Sequence, residues 1–370
     1  PYMGSSGMSA KLSDYVKNNY PDSKSDLFAV FIERCGQMTA KNRYQAMITQ
    51  HAWMFLSSFE KLRKKLLQSI EVVNMAHLGA RAFDEIGGEV VQTTSFVFRN
   101  VFDKGYCGTY SRLLEPTTQQ GKEELFLSGQ NRYTAQQTNF SKIPGSPIAY
   151  WVSENVARIF SDNKKIDEIA YPRQGLATGN NEHYLRLWTE VSYLDIKRDS
   201  HSHEDFFYSQ KKYVPYNKGG AYRKWFANIE WIIRFDKKNY DVLQTVGNHL
   251  PSKDFYFREN ITWSKVTSGG LSMRYIPQGS VFDVAGCSIF ADKSIYYILA
   301  FTNTKIMQYM MNILSQTLNY EVGNVKSIPL VFSKDRNETI EEISKKNVGL
   351  SSEDLSIYET SWDFKKHPLI

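Results

Sequence analysis

The segment Pro144-Gly145-Ser146-Pro147 places the strongest local constraint on how this chain can fold. Proline lacks a backbone N–H and fixes its φ angle, so neither a helix nor an interior strand runs through two prolines this close together. A chain of 370 residues is also long enough for about two domains. We therefore predict one domain over residues 1–145 and a second over residues 146–370.

The helices predicted in the first domain follow from capping residues and apolar spacing. Ser25-Asp26 precedes an apolar segment at 27–34 and is predicted to cap a helix that ends at Gly36. Residues 59–67 combine apolar spacing with a cationic face, which indicates an amphipathic helix.

Strands are predicted between these helices and after them. The apolar segment 52–56 is interpreted as a buried strand, and 89–98 as a strand rich in β-branched and aromatic residues after a Gly87-Gly88 turn. The polar segment 117–129 is predicted to be a loop. Alternating helices and strands are typical of an α/β domain.

The second domain is predicted to be strand-rich as far as about residue 290. A long helix over 294–318 and a charged helical segment over 333–354 are expected to follow. The fold expected for the whole chain is an α/β domain followed by an α+β domain that contains a long helix.

Composition excludes several classes of protein. No apolar run approaches the ~18 residues that a membrane span needs, and no segment has the layout of a signal peptide. Three widely spaced cysteines form neither a disulfide framework nor a metal cluster, so a reducing cytoplasm is predicted. His201 and His203 are the only close histidine pair, and a solvated loop is favoured there over a metal site.

The modest net charge of +6 is concentrated in one part of the chain. Residues 201–240 contain eight Lys or Arg against four Asp or Glu, and ten aromatic residues lie between Phe206 and Phe235. Basic residues among aromatics fit a nucleic-acid surface, where cations meet phosphates and rings meet bases. The other interpretation is a set of core strands with lysines on a solvated face. Composition leaves both open.

Several segments of the first half resemble adenine-specific DNA methyltransferases of the amino-methylating type. They are Pro1-Tyr2, the Ser-Asp-Leu-Phe sequence at 25–28 and the segment at 89–96. The resemblance implies the carboxy-terminal part of a Rossmann-like methyltransferase domain. Pro1-Tyr2 would then end an Asn-Pro-Pro-Tyr catalytic loop, and the chain would be an internal fragment that begins inside this loop.

The second half resembles the target-recognition domains of single-chain type IIG restriction-modification enzymes. This resemblance lies in residues 175–182, 215–225 and 321–329, while 359–364 and 367–369 are similar to the PglX-like methyltransferases of BREX phage-defence systems. It implies an α+β recognition domain, double-stranded DNA and other proteins of the defence system as partners, and no membrane.

The same resemblance implies a reaction and its residues. A methyl group would pass from S-adenosylmethionine to the N6 amine of an adenine that has left the base stack. Tyr2, beside Pro1, would stack on this base, and Phe96 would help to line its pocket. The family binds its cofactor with a glycine-rich loop, but no Gly-x-Gly sequence occurs in these 370 residues. We therefore expect these residues alone not to transfer methyl groups.

One predicted DNA contact is the sequence Lys218-Gly219-Gly220. Its glycines would let backbone amides approach a phosphate, with Lys218, Arg223 and Lys224 as countercharges. The neighbouring Trp225 and Trp231 are predicted to be core residues in preference to base-stacking residues.

Further DNA contacts are predicted on turns and loops. Asn180 and Asn181 have the pattern of a turn and are DNA contacts by resemblance. Lys265 and Arg274 stand on either side of a flexible loop, and Arg274 would either bind guanine in bidentate fashion or pair with a carboxylate.

Other enzyme classes lack their motifs in this sequence. It contains no Gly-x-Ser-x-Gly elbow, no phosphate-binding glycine-rich loop ending in Lys-Ser/Thr and no His-Glu-x-x-His. The alternatives to a methyltransferase fragment are a non-catalytic DNA specificity subunit and a fused restriction endonuclease-methyltransferase.

Overall fold

The computed structural model describes residues 2–83, 91–226, 229–315, 319–367 and 369–370. The chain forms two compact units, Pro1–Asp162 and Asn163–Ile370. Both combine helices with β-sheets, which confirms the predicted mixed α/β class at this coarse level. The boundary between the two units lies after the Pro-Gly-Ser-Pro segment. Arg63 donates to the Gly145 carbonyl and Ile148 lies in the core of the first unit, so both residues belong to that unit.

The first unit is built on a five-stranded mixed sheet with the strand order β1-β3-β2-β4-β5. Its elements are α1 (Ala10–Asn19), α2 (Leu27–Met38), β1 (Tyr44–Gln50), α3 (Glu60–Ser69), β2 (Glu71–Gly79), β3 (Thr93–Arg99), β4 (Cys107–Arg112), α4 (Gln119–Ser128), β5 (Arg132–Gln136) and α5 (Glu154–Asp162). β3 is antiparallel to β1 and β2, and β4 is parallel to β2. The carboxyl ends of β1, β2 and β4 therefore lie at one edge of the sheet.

The two helices predicted in this unit are confirmed. The Asp26 carboxylate accepts a hydrogen bond from the Phe28 N–H at 3.3 Å, which caps α2 at its start. The helix continues past Gly36 to Met38, since a single glycine weakens a helix without ending it. The apolar positions of α3 pack into a core that is centred on Trp53, Phe96 and Phe98.

Two other predictions in this unit are wrong. The expected strand at 52–56 is a 3₁₀ helix, His51–Met54, followed by the buried Phe55; short apolar runs do not distinguish buried strands from buried helical turns. The expected loop at 117–129 contains α4, which Thr118 caps at its start and Gly129 ends with a φ of 70°.

The strand predicted at 89–98 is observed in part. β3 covers Thr93–Arg99. Gly87-Gly88, Glu89 and Val90 lie outside the described residues.

The second unit contains two mixed sheets, with the orders β13-β8-β10-β7 and β6-β14-β11-β12-β9. Its strands are β6 (Tyr171–Arg173), β7 (Leu185–Leu187), β8 (Tyr213–Asn217), β9 (Trp225–Phe226), β10 (Trp231–Arg234), β11 (Asn260–Thr262), β12 (Arg274–Ile276), β13 (Val281–Phe282) and β14 (Ser288–Phe290). Its helices are α6 (Asn181–Tyr184), α7 (His203–Tyr208), α8 (Lys237–Leu243), α9 (Ile295–Thr302), α10 (Lys305–Leu314), α11 (Val322–Lys326) and α12 (Asn337–Ser356).

The long helix predicted over 294–318 is two helices, α9 and α10. The chain leaves the helical path at Asn303, and the Thr304 hydroxyl restarts it by accepting the Met307 N–H at 3.1 Å. Residues 316–318 lie outside the described part. The charged segment at 333–354 is confirmed as helical, because α12 extends for 20 residues.

Candidate nucleic-acid interface

A cleft of about 520 Å³ in the second unit brings together five of the residues predicted to contact DNA. β8 ends at Asn217, so the next residue, Lys218, lies in the cleft. The first residues of β10 and β12, Trp231 and Arg274, also line it. The five residues from the sequence prediction are Lys218, Gly219, Gly220, Arg223 and Arg274.

Lys218 is the cation best placed to meet a ligand in this cleft. Its Nζ lies 4.7 Å from the centroid of the Trp231 ring, and within the described residues it forms no ion pair. A cation held over an aromatic face keeps its charge, and the contact contributes about 0.5–1 kcal/mol at an accessible site. Lys218 is therefore oriented without being neutralised. Trp231 is half-buried in the cleft wall and contacts the Lys218 ammonium in addition to the predicted core packing.

The amides of the two glycines are hydrogen-bonded within the protein. The Gly219 N–H donates to Asn217 Oδ1 at 3.3 Å and the Gly220 N–H donates to Ser264 Oγ at 3.1 Å, so both amides already have acceptors. Gly219 has a φ of 84°, in the left-handed region, and a Cβ there would stand 3.2 Å from the Ala285 carbonyl oxygen. The glycines thus turn the chain sharply after β8.

Arg274 supports the floor of the cleft. Its side chain is buried, Nη1 donates to the Ala221 carbonyl at 2.9 Å and Nη2 donates to Ser264 Oγ at 3.0 Å. Desolvation by burial lowers the pKa of the guanidinium to about 10. Arg274 therefore pairs with no carboxylate in the described structure, and its two terminal nitrogens hold the loop after Gly220 in place.

The remaining predicted cations have partners within the protein. Arg223 Nη2 lies 2.5 Å from Asp354 Oδ2, Lys224 Nζ donates to the Asn303 carbonyl at 2.8 Å, and Lys265 Nζ lies 3.1 Å from Glu321 Oε2. These contacts fasten the surroundings of the cleft to helices α12, α9 and α11. A phosphate would have to compete for these cations, whereas Lys218 is available.

Asn180 and Asn181 form a turn and a helix cap away from the cleft. Asn180 Oδ1 accepts the His183 N–H at 3.1 Å, and Asn181 Oδ1 accepts the Thr178 hydroxyl at 2.7 Å. Both are exposed. The structure thus gives them the turn role that the sequence favoured.

The residues predicted for the methyltransferase site lie in the first unit, where Pro1 is outside the described residues. Tyr2 is 59% exposed, and its hydroxyl donates to the Ile48 carbonyl of β1 at 3.4 Å. Phe96 is buried in the core, 5.4 Å from the Trp53 ring between centroids. Phe96 therefore packs in the core of the first unit, and its role in an adenine pocket stays a prediction. An exposed aromatic that the sequence analysis missed, Phe83, lies on the loop after β2.

The sequence analysis also missed a histidine pair, the buried His77 and the half-buried His51, at the carboxyl edge of this sheet. His51 Nδ1 and His77 Nε2 are 2.9 Å apart, and His77 Nδ1 lies 3.1 Å from the Tyr150 hydroxyl. Desolvation lowers the pKa of His51 to about 4 and that of His77 to about 3, the latter helped by the charges of Arg112 and Lys122. Both rings are neutral at pH 7. His51 and His77 lie at the carboxyl ends of two strands that run in the same direction. This placement was the signal from which the histidine pair could have been predicted.

One protein-family model and two curated proteins are similar to this chain. A family model described as Eco57I restriction-modification methylase matches residues 1–83. The adenine-specific methyltransferase PglX of Lacticaseibacillus casei (strain Zhang) is 42% identical over 387 aligned residues, which cover all of this chain and 32% of that protein. The adenine-specific methyltransferase BrxX of Escherichia coli O9:H4 (strain HS) is 39% identical over 376, covering all of this chain and 30% of that protein.

The chain is homologous to these adenine-specific methyltransferases. The resemblance predicted from the sequence is therefore confirmed, and the chain spans about a third of the length of the curated relatives it matches.

Solved structures show a similar fold. The type IIL restriction-modification enzyme MmeI in complex with DNA has a TM-score of 0.61 at 12% identity, over all of this chain and 51% of that chain. A nuclease-deletion mutant of the type ISP enzyme LlaGI, bound to a DNA substrate mimic, has a TM-score of 0.54 at 10% identity, over 95% of this chain and 41% of that one.

The described residues contain neither a candidate membrane span nor a candidate metal cluster. None of their helices is both long and apolar enough to cross a membrane. No three His, Cys, Asp or Glu side chains among them are grouped so as to hold a metal ion.

Proposed function

We propose that this chain is part of a site-specific DNA adenine-N6 methyltransferase of a phage-defence system, and that its second unit recognises the DNA target. The observation that carries the proposal is the cleft, in which the predicted segment 218–223 and the distant Arg274 lie together and Lys218 forms no ion pair with a described residue. The homology to PglX and BrxX supports the reaction. The likeness to restriction-modification enzymes solved with DNA supports the ligand.

The cofactor expected for this reaction is S-adenosylmethionine, and the glycine pairs within the described residues do not fit it. Gly219-Gly220 and Gly269-Gly270 precede β9 and β12, so neither pair leads into a helix N-terminus where a cofactor could bind. We assign cofactor binding to residues beyond these 370. The contributions of this chain are DNA binding in the second unit and base stacking in the first.

Tyr2 is the residue we propose for stacking on the extruded adenine. Its ring is exposed, close to the carboxyl half of β1, and every base offers a π-face to such a ring. In the full-length gene product, Tyr2→Ala is expected to lower the N6-methylation rate about tenfold to a hundredfold, since stacking contributes about 1–3 kcal/mol per base. Tyr2→Phe keeps the ring and is the matched control. Equal rates for both variants would contradict the stacking role.

The DNA interface is tested by salt dependence. Affinity of the full-length gene product for duplex DNA is expected to fall linearly with the logarithm of salt concentration, as counterions are released from phosphates. Lys218→Gln removes the cation that is available in the cleft, and the slope of log affinity against log salt should become shallower by about one. Titration of labelled duplex at several salt concentrations gives both values.

The matched control is Lys238→Gln, which removes an exposed lysine outside the cleft in the same unit. Its slope should equal that of the unchanged protein. Binding that does not respond to salt, or equal slopes for Lys218→Gln and the control, would contradict a phosphate contact at Lys218.

A further inference from the structure

Residues 359–364, which we call the clasp, pack against the rest of the second unit through Trp362. The Trp362 ring stacks on Trp188 with centroids 4.9 Å apart and planes inclined by 24°. The Arg198 guanidinium lies 4.8 Å from the same ring, and Arg198 Nη2 is 3.1 Å from Asp363 Oδ1. The clasp contributes few apolar side chains to the core. It is held in place by a stacked aromatic pair, a cation–π contact and an ion pair.

The clasp is hydrogen-bonded directly to one wall of the cleft. The Trp362 indole N–H donates to the Ile229 carbonyl. The backbone N–H of its stacking partner Trp188 donates to the Glu230 carbonyl at 3.0 Å. Ile229, Glu230 and Trp231 are consecutive residues that line the cleft. Two tryptophans therefore hold the two carbonyls that precede Trp231.

Trp231 in turn carries the Lys218 ammonium 4.7 Å from its ring centroid. A contiguous set of contacts leads from Trp362 through Ile229 and Trp231 to the available cation of the cleft. We propose that Trp362 is a positioning residue, which sets the wall 229–231 and thereby the place of the Lys218 charge in the DNA interface. This inference rests on the proposed function.

The test uses Trp362→Phe in the full-length gene product, with a duplex that contains the sequence it methylates. Phenylalanine keeps an aromatic ring against Trp188 but has no N–H for the Ile229 carbonyl. We expect DNA affinity to fall by about threefold to tenfold and the salt slope to become shallower by about one, as for Lys218→Gln. The double variant Trp362→Phe/Lys218→Gln should bind no more weakly than Lys218→Gln, because both changes remove the same phosphate contact.

Trp263→Phe is the matched control, since it removes another indole N–H, which donates to the Tyr320 carbonyl at 2.8 Å outside the cleft lining. It should lower the melting temperature without changing the salt slope. Arg198→Gln is a second variant, to be used if Trp362→Phe does not fold; it loosens the clasp and should change the slope in the same direction.

The outcomes separate the inference from the function on which it rests. If the unchanged protein binds DNA with salt dependence and Trp362→Phe behaves like Trp263→Phe, the inference is overturned and the proposed function stands. Additive losses in the double variant also overturn it. If the unchanged protein shows no salt-dependent binding, the proposed function fails and the inference fails with it.

Discussion

Replacing Arg63 with leucine is expected to lower the free energy of unfolding by about 3–5 kcal/mol. The Arg63 guanidinium is 1% exposed and donates to three backbone carbonyls, those of Trp53 at 2.9 Å, Leu56 at 2.6 Å and Gly145 at 2.7 Å. Each buried carbonyl that loses its donor costs about 1–3 kcal/mol. The two segments that Arg63 joins, the 3₁₀ turn after β1 and the Pro-Gly-Ser-Pro segment, have no shared strand to hold them.

Denaturant titration of the Arg63→Leu protein measures this loss. Lys61→Leu makes the same change on an exposed position of helix α3 and is expected to change the free energy of unfolding by less than about 0.5 kcal/mol. Comparable losses in the two variants would show that the charge of the helix, and not the carbonyl contacts of Arg63, determines the effect.

Lowering the pH from 7 to 5 is expected to remove about 4 kcal/mol of stability through the pair His51 and His77. An unfolded histidine has a pKa near 6.5, whereas burial lowers the pKa of His51 to about 4 and that of His77 to about 3. The unfolded state therefore binds more protons throughout this window. The stability is fully present above pH 6.5 and is lost as the pH falls towards 4, at about 2 kcal/mol for each histidine by pH 5.

His77→Gln isolates this contribution from that of the carboxylates. The variant should lose about 2 kcal/mol less stability between pH 7 and pH 5 than the unchanged protein, whatever its stability at pH 7. His183→Gln, at an exposed position, should follow the unchanged protein. The free energy of unfolding at the two pH values gives the result, and an unaltered pH dependence in His77→Gln would refute it.

The sequence was sufficient for the features that depend on local chemistry. Asp26 begins α2 because its carboxylate can accept an amide of the next turn, and the spacing of apolar residues in α3 follows the helical period. The residues around Lys218 were selected by type and neighbourhood. The homology over the whole chain was also readable, because it lies in ordered short motifs.

The sequence was insufficient where a residue's role depends on what packs against it. Residues 52–56 and 117–129 were assigned wrongly because short segments take the conformation that their surroundings satisfy. Among the predicted cations, only the structure distinguishes Lys218 from Lys224, whose ammonium donates to the Asn303 carbonyl. Phe96 has the residue type that a base pocket would use, but the structure shows that it is buried in the core.

By itself the sequence determined which methyltransferases this chain is related to and which residues carry charge or aromatic surface. Only the tertiary structure decided which of those charges remain available and which are held by internal acceptors. The reason is physical. Residue type sets what a side chain can bind, but distant segments such as the clasp and the wall 229–231 determine which partners stand within hydrogen-bonding distance.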